Sequence, residues 1–128
     1  MIKNKIYVPV VFTLGALGVT AGAFGAHLLK DILPLASLQS YQTGVLYLLL
    51  HIPILLIVRN EKVASSLMLV GVCFFSLSIF ILSTSSIHQI DVRWLGPITP
   101  LGGVLIIAGW VKAAISWRTI LNEKGADE

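Results

Sequence analysis

Long apolar runs take up most of this chain, and they fix the solvent in which it can fold. Residues Tyr7 to Leu29, Tyr41 to Val58 and Val63 to Ser86 contain no Asp, Glu, Lys or Arg; Leu95 to Trp117 contains one, Lys112. A helix needs roughly 20 mostly apolar residues to cross a hydrocarbon core of about 30 Å. In lipid, backbone groups must be satisfied within the protein, which leaves helices or closed barrels. These runs are continuous, whereas barrel strands alternate apolar and polar residues. The expectation is an all-α, integral membrane four-helix bundle. It forms a single transmembrane domain over residues 1–128, with spans at about 7–29, 41–58, 63–86 and 97–117.

Composition points the same way. The chain is 56% hydrophobic and 12% charged, against about 25% charged in a soluble domain. Its net charge of +3 does not indicate nucleic acid, because the basic residues stand singly beside the spans, as topology determinants do. The expected partner is the lipid bilayer. With the amino terminus inside, the inner segments hold Lys3, Lys5, Arg59, Lys62, Lys112, Arg118 and Lys124, and the outer ones hold Lys30 and Arg93. Basic residues favour the cytoplasmic side, so both termini are expected to be cytoplasmic in a multi-pass protein of the bacterial inner (plasma) membrane. Tyr7, Tyr41, Trp94 and Trp117 fall near span boundaries, where amphipathic rings settle. The start of the chain imitates a signal peptide, with Lys3 and Lys5 before an apolar run and a small-residue Ala21-Gly22-Ala23 site. The run continues to Leu29, so it reads as the first span.

The connections differ in character. Arg59-Asn60-Glu61-Lys62 is a tight turn that makes the second and third spans antiparallel neighbours. Lys30 to Ser40, with Pro34 and several leucines, reads as a loop lying along the interface. Thr84 to Ile98 is the most polar stretch and holds His88, Asp91, Arg93 and Trp94. Asp91 and Arg93 are expected to pair there, and the tail from Arg118 to Glu128 to fray.

The first span carries the clearest pattern. Gly15, Gly18, Gly22 and Gly25 are spaced three, four and three, which puts them on one helix stripe. Small residues let helices in lipid approach closely. Gly102, Gly109, Ala113 and Ser116 form a matching stripe in the fourth span. Both read first as packing within the bundle, and second as a surface for a homo-oligomer or a larger membrane complex. Thr99 is expected to cap the fourth span, with Pro100 in its first turn.

His51 is the polar residue of most interest. It lies about midway along the second span, where an ionisable group is costly and suggests function. Pro53 follows it and removes a helix hydrogen bond, which points to a kink beside a polar group. The plainer reading is a neutral imidazole bonded across helices, to Ser76, Ser78 or a tyrosine hydroxyl. His27 ends the first span. At 1.5 Å per residue it lies about 10–15 Å from His51 in depth, too far to share a haem. The three histidines show no metal-ligand spacing, and no cofactor is expected. Ser65, Ser66, Ser76, Ser78, Ser83 and Thr84 read as contacts between helices. No acidic residue lies within a span, which argues against proton-coupled export of cations. An enzyme working at the outer face with His27, His88 and Asp91 lacks a nucleophile at a recognisable spacing. The chain is therefore not expected to be an enzyme.

Three segments together resemble a known family: Gly15-Ala16-Leu17-Gly18 through Gly22-Ala23-Phe24-Gly25-Ala26-His27; Tyr41-Gln42-Thr43-Gly44 through Tyr47 to His51; and Gly96-Pro97-Ile98-Thr99-Pro100-Leu101-Gly102-Gly103 with Gly109-Trp110. They resemble the YgdD/YwdK family of small bacterial inner-membrane proteins, and the likeness covers nearly the whole chain. It implies a four-helix membrane protein and singles out His27 and His51. It carries no biochemical activity with it. The family often has Gln where this chain has Leu48, so the resemblance implies a smaller polar network around His51. Sequence thus favours a non-enzymatic membrane component that packs with itself, a larger complex or lipid. The alternative is a small-solute carrier or channel using the second span and His51.

Overall fold

The structure is a computed structural model that describes residues 2–126, with side chains described for residues 5–119. The side chains of Lys3, Glu123 and Lys124, and the residues Asp127 and Glu128, lie outside what is described. Five α-helices follow one another: α1 (Ile2–His27), α2 (Leu35–Ile57), α3 (Lys62–Ser83), the single turn α4 (Ser85–His88) and α5 (Ile98–Ala126). Short 3-10 turns at Leu29–Asp31 and Arg93–Leu95 complete the connections. Four helical stretches, Lys5–Asp31, Leu35–Ile57, Lys62–Ser83 and Arg93–Thr119, are long and apolar enough to cross a membrane. Among the described residues there is no strand.

The long helices pack in chain order. α1 lies along α2, α2 along α3, and α3 along α5, the closest pair of all. The central helix α3 is therefore the most enclosed, and α1 the least buried of the four. One end of the molecule carries the 58–61 turn and the two terminal helix ends; the other carries the 28–34 and 84–97 connections. Near the first end, Val11, Leu55, Val58, Ala64, Met68 and Ala113 form a buried cluster. Leu48, Val72 and Ile106 form a second one further along. The apolar side chains left on the surface, such as Leu17, Phe24, Val104, Ile107 and Val111, suit a lipid solvent.

Several boundaries differ from the sequence expectation, the first being α1, which runs from Ile2 to His27 where the span was expected at 7–29. α2 starts at Leu35 with Pro34 as its N-cap, so Leu35 to Ser40 are helix and not loop. Proline suits a helix start, where amide donors have no partner within the helix. α3 ends at Ser83, where the Thr84 hydroxyl turns back to the Phe80 carbonyl at 2.7 Å. At the carboxyl end, α5 runs on through Arg118 to Ala126, in place of the frayed tail expected.

Candidate functional site

The glycine stripe of α1 is filled by α2. A methyl group added at Gly15 would meet Ile52; at Gly18, Leu49 and Leu48; at Gly22, Val45; and at Gly25, Tyr41. The antiparallel register puts Gly25 opposite Tyr41 and Gly15 opposite Ile52. Tyrosines fasten both ends of the pair. Tyr41 donates to the Ala21 carbonyl at 3.0 Å and Tyr7 to the Leu55 carbonyl at 3.2 Å. Tyr41 is thus 7% exposed, a buried join between helices instead of the interfacial ring its position suggested. The clash at Gly18 is with the flexible tip of Leu49 at 2.7 Å. Gly18→Ala should therefore cost about 1 kcal/mol, whereas Gly18→Leu should part α1 from α2. Loss of a monodisperse elution peak in the leucine variant alone is the expected readout.

The α3–α5 contact is closer still. A methyl group at Gly102 would lie 2.5 Å from the Phe75 amide nitrogen and 2.8 Å from the Gly71 carbonyl oxygen. One at Gly71 would lie 2.8 Å from the Gly102 carbonyl oxygen and from the Ile106 nitrogen. Here backbone meets backbone. Gly109 receives Met68 at 2.5 Å. Gly103, by contrast, has nothing nearer than 3.9 Å, so the close approach belongs to Gly102 alone of that pair. Gly71 was not evident from the sequence because it is a single glycine with no stripe of its own. Gly44, quoted only as part of the Tyr41–His51 motif, was given no packing role for the same reason, although it receives Phe80 and Ile79 and its carbonyl accepts a hydrogen bond from Ser76 at 2.9 Å.

His51 sits at the junction of α2 and α5 and is 3% exposed. Its Nδ1 lies 2.7 Å from the Tyr47 carbonyl oxygen, and its Nε2 accepts from the Trp110 indole Nε1–H at 3.3 Å. A carbonyl only accepts and an indole N–H only donates. The two partners together assign the neutral tautomer with the proton on Nδ1. The Tyr47 ring stacks beside the imidazole at 6.1 Å and lies 4.5 Å from Phe75. His51 is bonded across helices as the plainer reading held, but not to the partners expected. Ser76 is taken by Gly44, and Ser78 pairs with Thr99 at 2.7 Å. This also corrects the role of Thr99, which lies inside α5 and bonds to α3 rather than capping its own helix. Leu48 is buried against Val72 and Ile106, so apolar packing fills its place. Pro53 is exposed within α2, and the helix runs unbroken from Leu35 to Ile57.

The remaining polar positions stay apart from this junction. His27 is exposed at the last residue of α1. In the α1–α2 register it lies level with about Gln39, some 12 helical residues or about 18 Å from His51. His88 serves the 84–97 connection: its Nδ1 accepts from the Ile90 amide at 3.3 Å and its Nε2 lies 3.2 Å from the Ile81 carbonyl. Asp91 and Arg93 form a two-point ion pair, with Nη2 to Oδ2 at 3.0 Å and Nε to Oδ1 at 3.1 Å. The Arg93 amide also donates to Oδ1, at 3.1 Å. The guanidinium, then the amide, hold the Asp91 carboxyl below its usual value of 3.8. A lowered carboxyl pKa stabilises above the unfolded value and stops doing so as pH falls through the folded one. Hydrogen exchange at the Arg93 amide should therefore be protected near neutral pH and lose that protection in acid. Asp91→Asn should remove the pH dependence.

A family profile described as "Protein of unknown function (DUF423)" matches residues 21–103. The UPF0382 membrane protein YwdK of Bacillus subtilis is 35% identical over 122 residues, covering 88% of this chain and 95% of the relative. UPF0382 membrane protein SH2409 of Staphylococcus haemolyticus is 39% identical over 115 residues, with 80% and 90% covered. A UPF0382 membrane protein of Haemophilus influenzae is 36% identical over 120 residues, with 88% and 92% covered. No solved structure matches the chain. With relatives alike over nearly their whole length and four spans of its own, the chain belongs to the DUF423 (UPF0382) family of multi-pass membrane proteins.

Proposed function

We propose that this chain is a non-enzymatic component of the bacterial inner membrane that associates with a second copy of itself through the free face of α1. One observation carries the reading. Thr13, Ala16, Thr20 and Ala23 repeat the spacing of the glycine stripe, displaced by two residues, and all four are exposed. Two residues are about 200° of helix rotation, so this small-residue row lies opposite the face that α2 covers. Small residues are what close helix crossings in lipid require. The row carries no charge, which suits an identical apolar partner related by a two-fold axis. A larger membrane complex or lipid alone are the competing occupants.

Charge supports termini on the cytoplasmic side. Arg59, Lys62, Lys112 and Arg118 belong to the end with the termini, and Lys30 and Arg93 to the other. The carrier alternative is less favoured, because the His51 side chain is enclosed and both its ring nitrogens are bonded.

Single cysteines in a Cys73→Ser background test the association in native membranes. Oxidation should link copies through Ala16→Cys or Ala23→Cys and not through Val104→Cys, which is exposed on α5. Equal linking at all three positions, or none at 16 and 23, would overturn the proposal.

A further inference from the structure

A second feature lies at the end of the molecule away from the termini. A cleft of about 490 Å³ opens there between α2 and the α3–α5 pair. It is lined by Ser37, Ser40 and Thr43 on α2, Ser83 on α3 and Thr99 on α5, over an apolar floor of Ile79 and Leu82. No charged residue lines it.

The hydroxyls are oriented by bonds the protein already makes. Ser40 donates to the Ala36 carbonyl and Thr43 to the Gln39 carbonyl, each at 3.0 Å. Ser83 donates to Phe80 at 3.2 Å. Ser78 gives its proton to the Phe75 carbonyl at 3.0 Å, so in the Ser78–Thr99 pair Thr99 is the donor. Each of these four lining hydroxyls has one proton and spends it inside the protein, which leaves its oxygen free to accept. Ser37, the fifth, makes no such bond among the described residues, so the cleft offers four acceptors, one hydroxyl able to donate as well, and no cation. It suits a ligand that brings O–H donors and no negative charge.

Position narrows the source. Thr99 and Ser83 are the second residue of α5 and the last of α3, while Thr43 is eight residues into α2. The hydroxyls thus run from the edge of the spans to about 12 Å inside. The outer hydroxyls of the cleft, Ser83 and Thr99, lie at the level of a lipid's head group and glycerol at the edge of the hydrocarbon, so a head group tipped into the cleft reaches the deeper ones while its chains stay in the bilayer. We infer that the cleft binds a lipid with an uncharged, hydroxyl-bearing head group, such as a monoglycosyl diacylglycerol.

The test uses the full chain in nanodiscs containing equal parts of monoglucosyl diacylglycerol, phosphatidylcholine and phosphatidylethanolamine, released for native mass spectrometry. Wild type should retain the glycolipid at least tenfold over both phospholipids. Ser40→Ala with Thr43→Val should remove the preference. Both side chains are exposed and give up only bonds within their own helix, so the fold should persist, as an unchanged elution volume would verify. Equal retention of all three lipids would overturn the inference, as would a glycolipid preference that survives the double variant. Preference for phosphatidylethanolamine would replace the hydroxyl donor by an ammonium and overturn it too. Displacement of the glycolipid by free glucose at equal concentration would overturn the assignment to a lipid.

Discussion

Gly102→Ala should destabilise the protein far more than Gly103→Ala, although the two positions are adjacent and the substitution is the same. The methyl group at 102 falls 2.5 Å from the Phe75 amide nitrogen and 2.8 Å from the Gly71 carbonyl oxygen. Neither atom belongs to a side chain that can rotate away, so α3 and α5 must separate along their closest contact. Overpacking typically costs about 1–3 kcal/mol, and a clash with backbone belongs at the upper end. At Gly103 the nearest atoms are Phe75 ring carbons at 3.9 and 4.0 Å, an ordinary contact. There alanine gains up to about 1 kcal/mol of helix propensity. Gly71→Ala should behave like Gly102→Ala, because it strikes the same crossing from the other helix. Thermal unfolding in detergent, followed by loss of the native elution peak, separates the pair. Similar melting of the 102 and 103 variants would show that α3 and α5 do not cross at Gly102.

His51→Ala should be the most damaging change at a polar position. It removes a bond between α2 and α5, which are otherwise joined through α3, and leaves the Trp110 indole N–H without its acceptor. Interhelical hydrogen bonds in lipid contribute about 0.6–2 kcal/mol. The vacated imidazole volume adds to this, for a total of about 2–3 kcal/mol. Trp110→Phe keeps most of the ring but not the donor, and should cost about 1 kcal/mol. Because both variants break one bond, the double variant should fall short of their sum by about 1 kcal/mol. Strict additivity in unfolding measurements would show that the bond contributes nothing. Trp110 emission should also shift in His51→Ala, as its N–H loses the imidazole nitrogen.

These two sites show what a single sequence can and cannot display. Spans are legible because lipid demands continuous apolar length, and the glycine stripe because four small residues repeat at helical spacing. His51 stands out because a polar residue at mid-span is rare. Its partner does not, since helical periodicity orders residues around one helix but does not say which faces meet. Trp110 resembles an ordinary lipid-facing aromatic, and 46% of it is indeed exposed. Gly71 and Gly44 are single glycines, and only the crossing of α3 with its neighbours gives them meaning. The start of α2 was hidden because Leu35 to Ser40 mixes leucine with polar residues, as an interfacial loop would. The cleft at Ser40, Thr43, Ser83 and Thr99 combines residues from three helices, far apart in the chain.

The central functional claim is that α1 turns its glycines to α2 and its second small-residue row to another copy. Native mass spectrometry of the gently extracted protein, wild type beside an Ala16→Leu/Ala23→Leu variant, tests it most directly. Wild type should give twice the chain mass, and the variant a folded single chain. A wild-type monomer, or a dimer that persists in the variant, would contradict it.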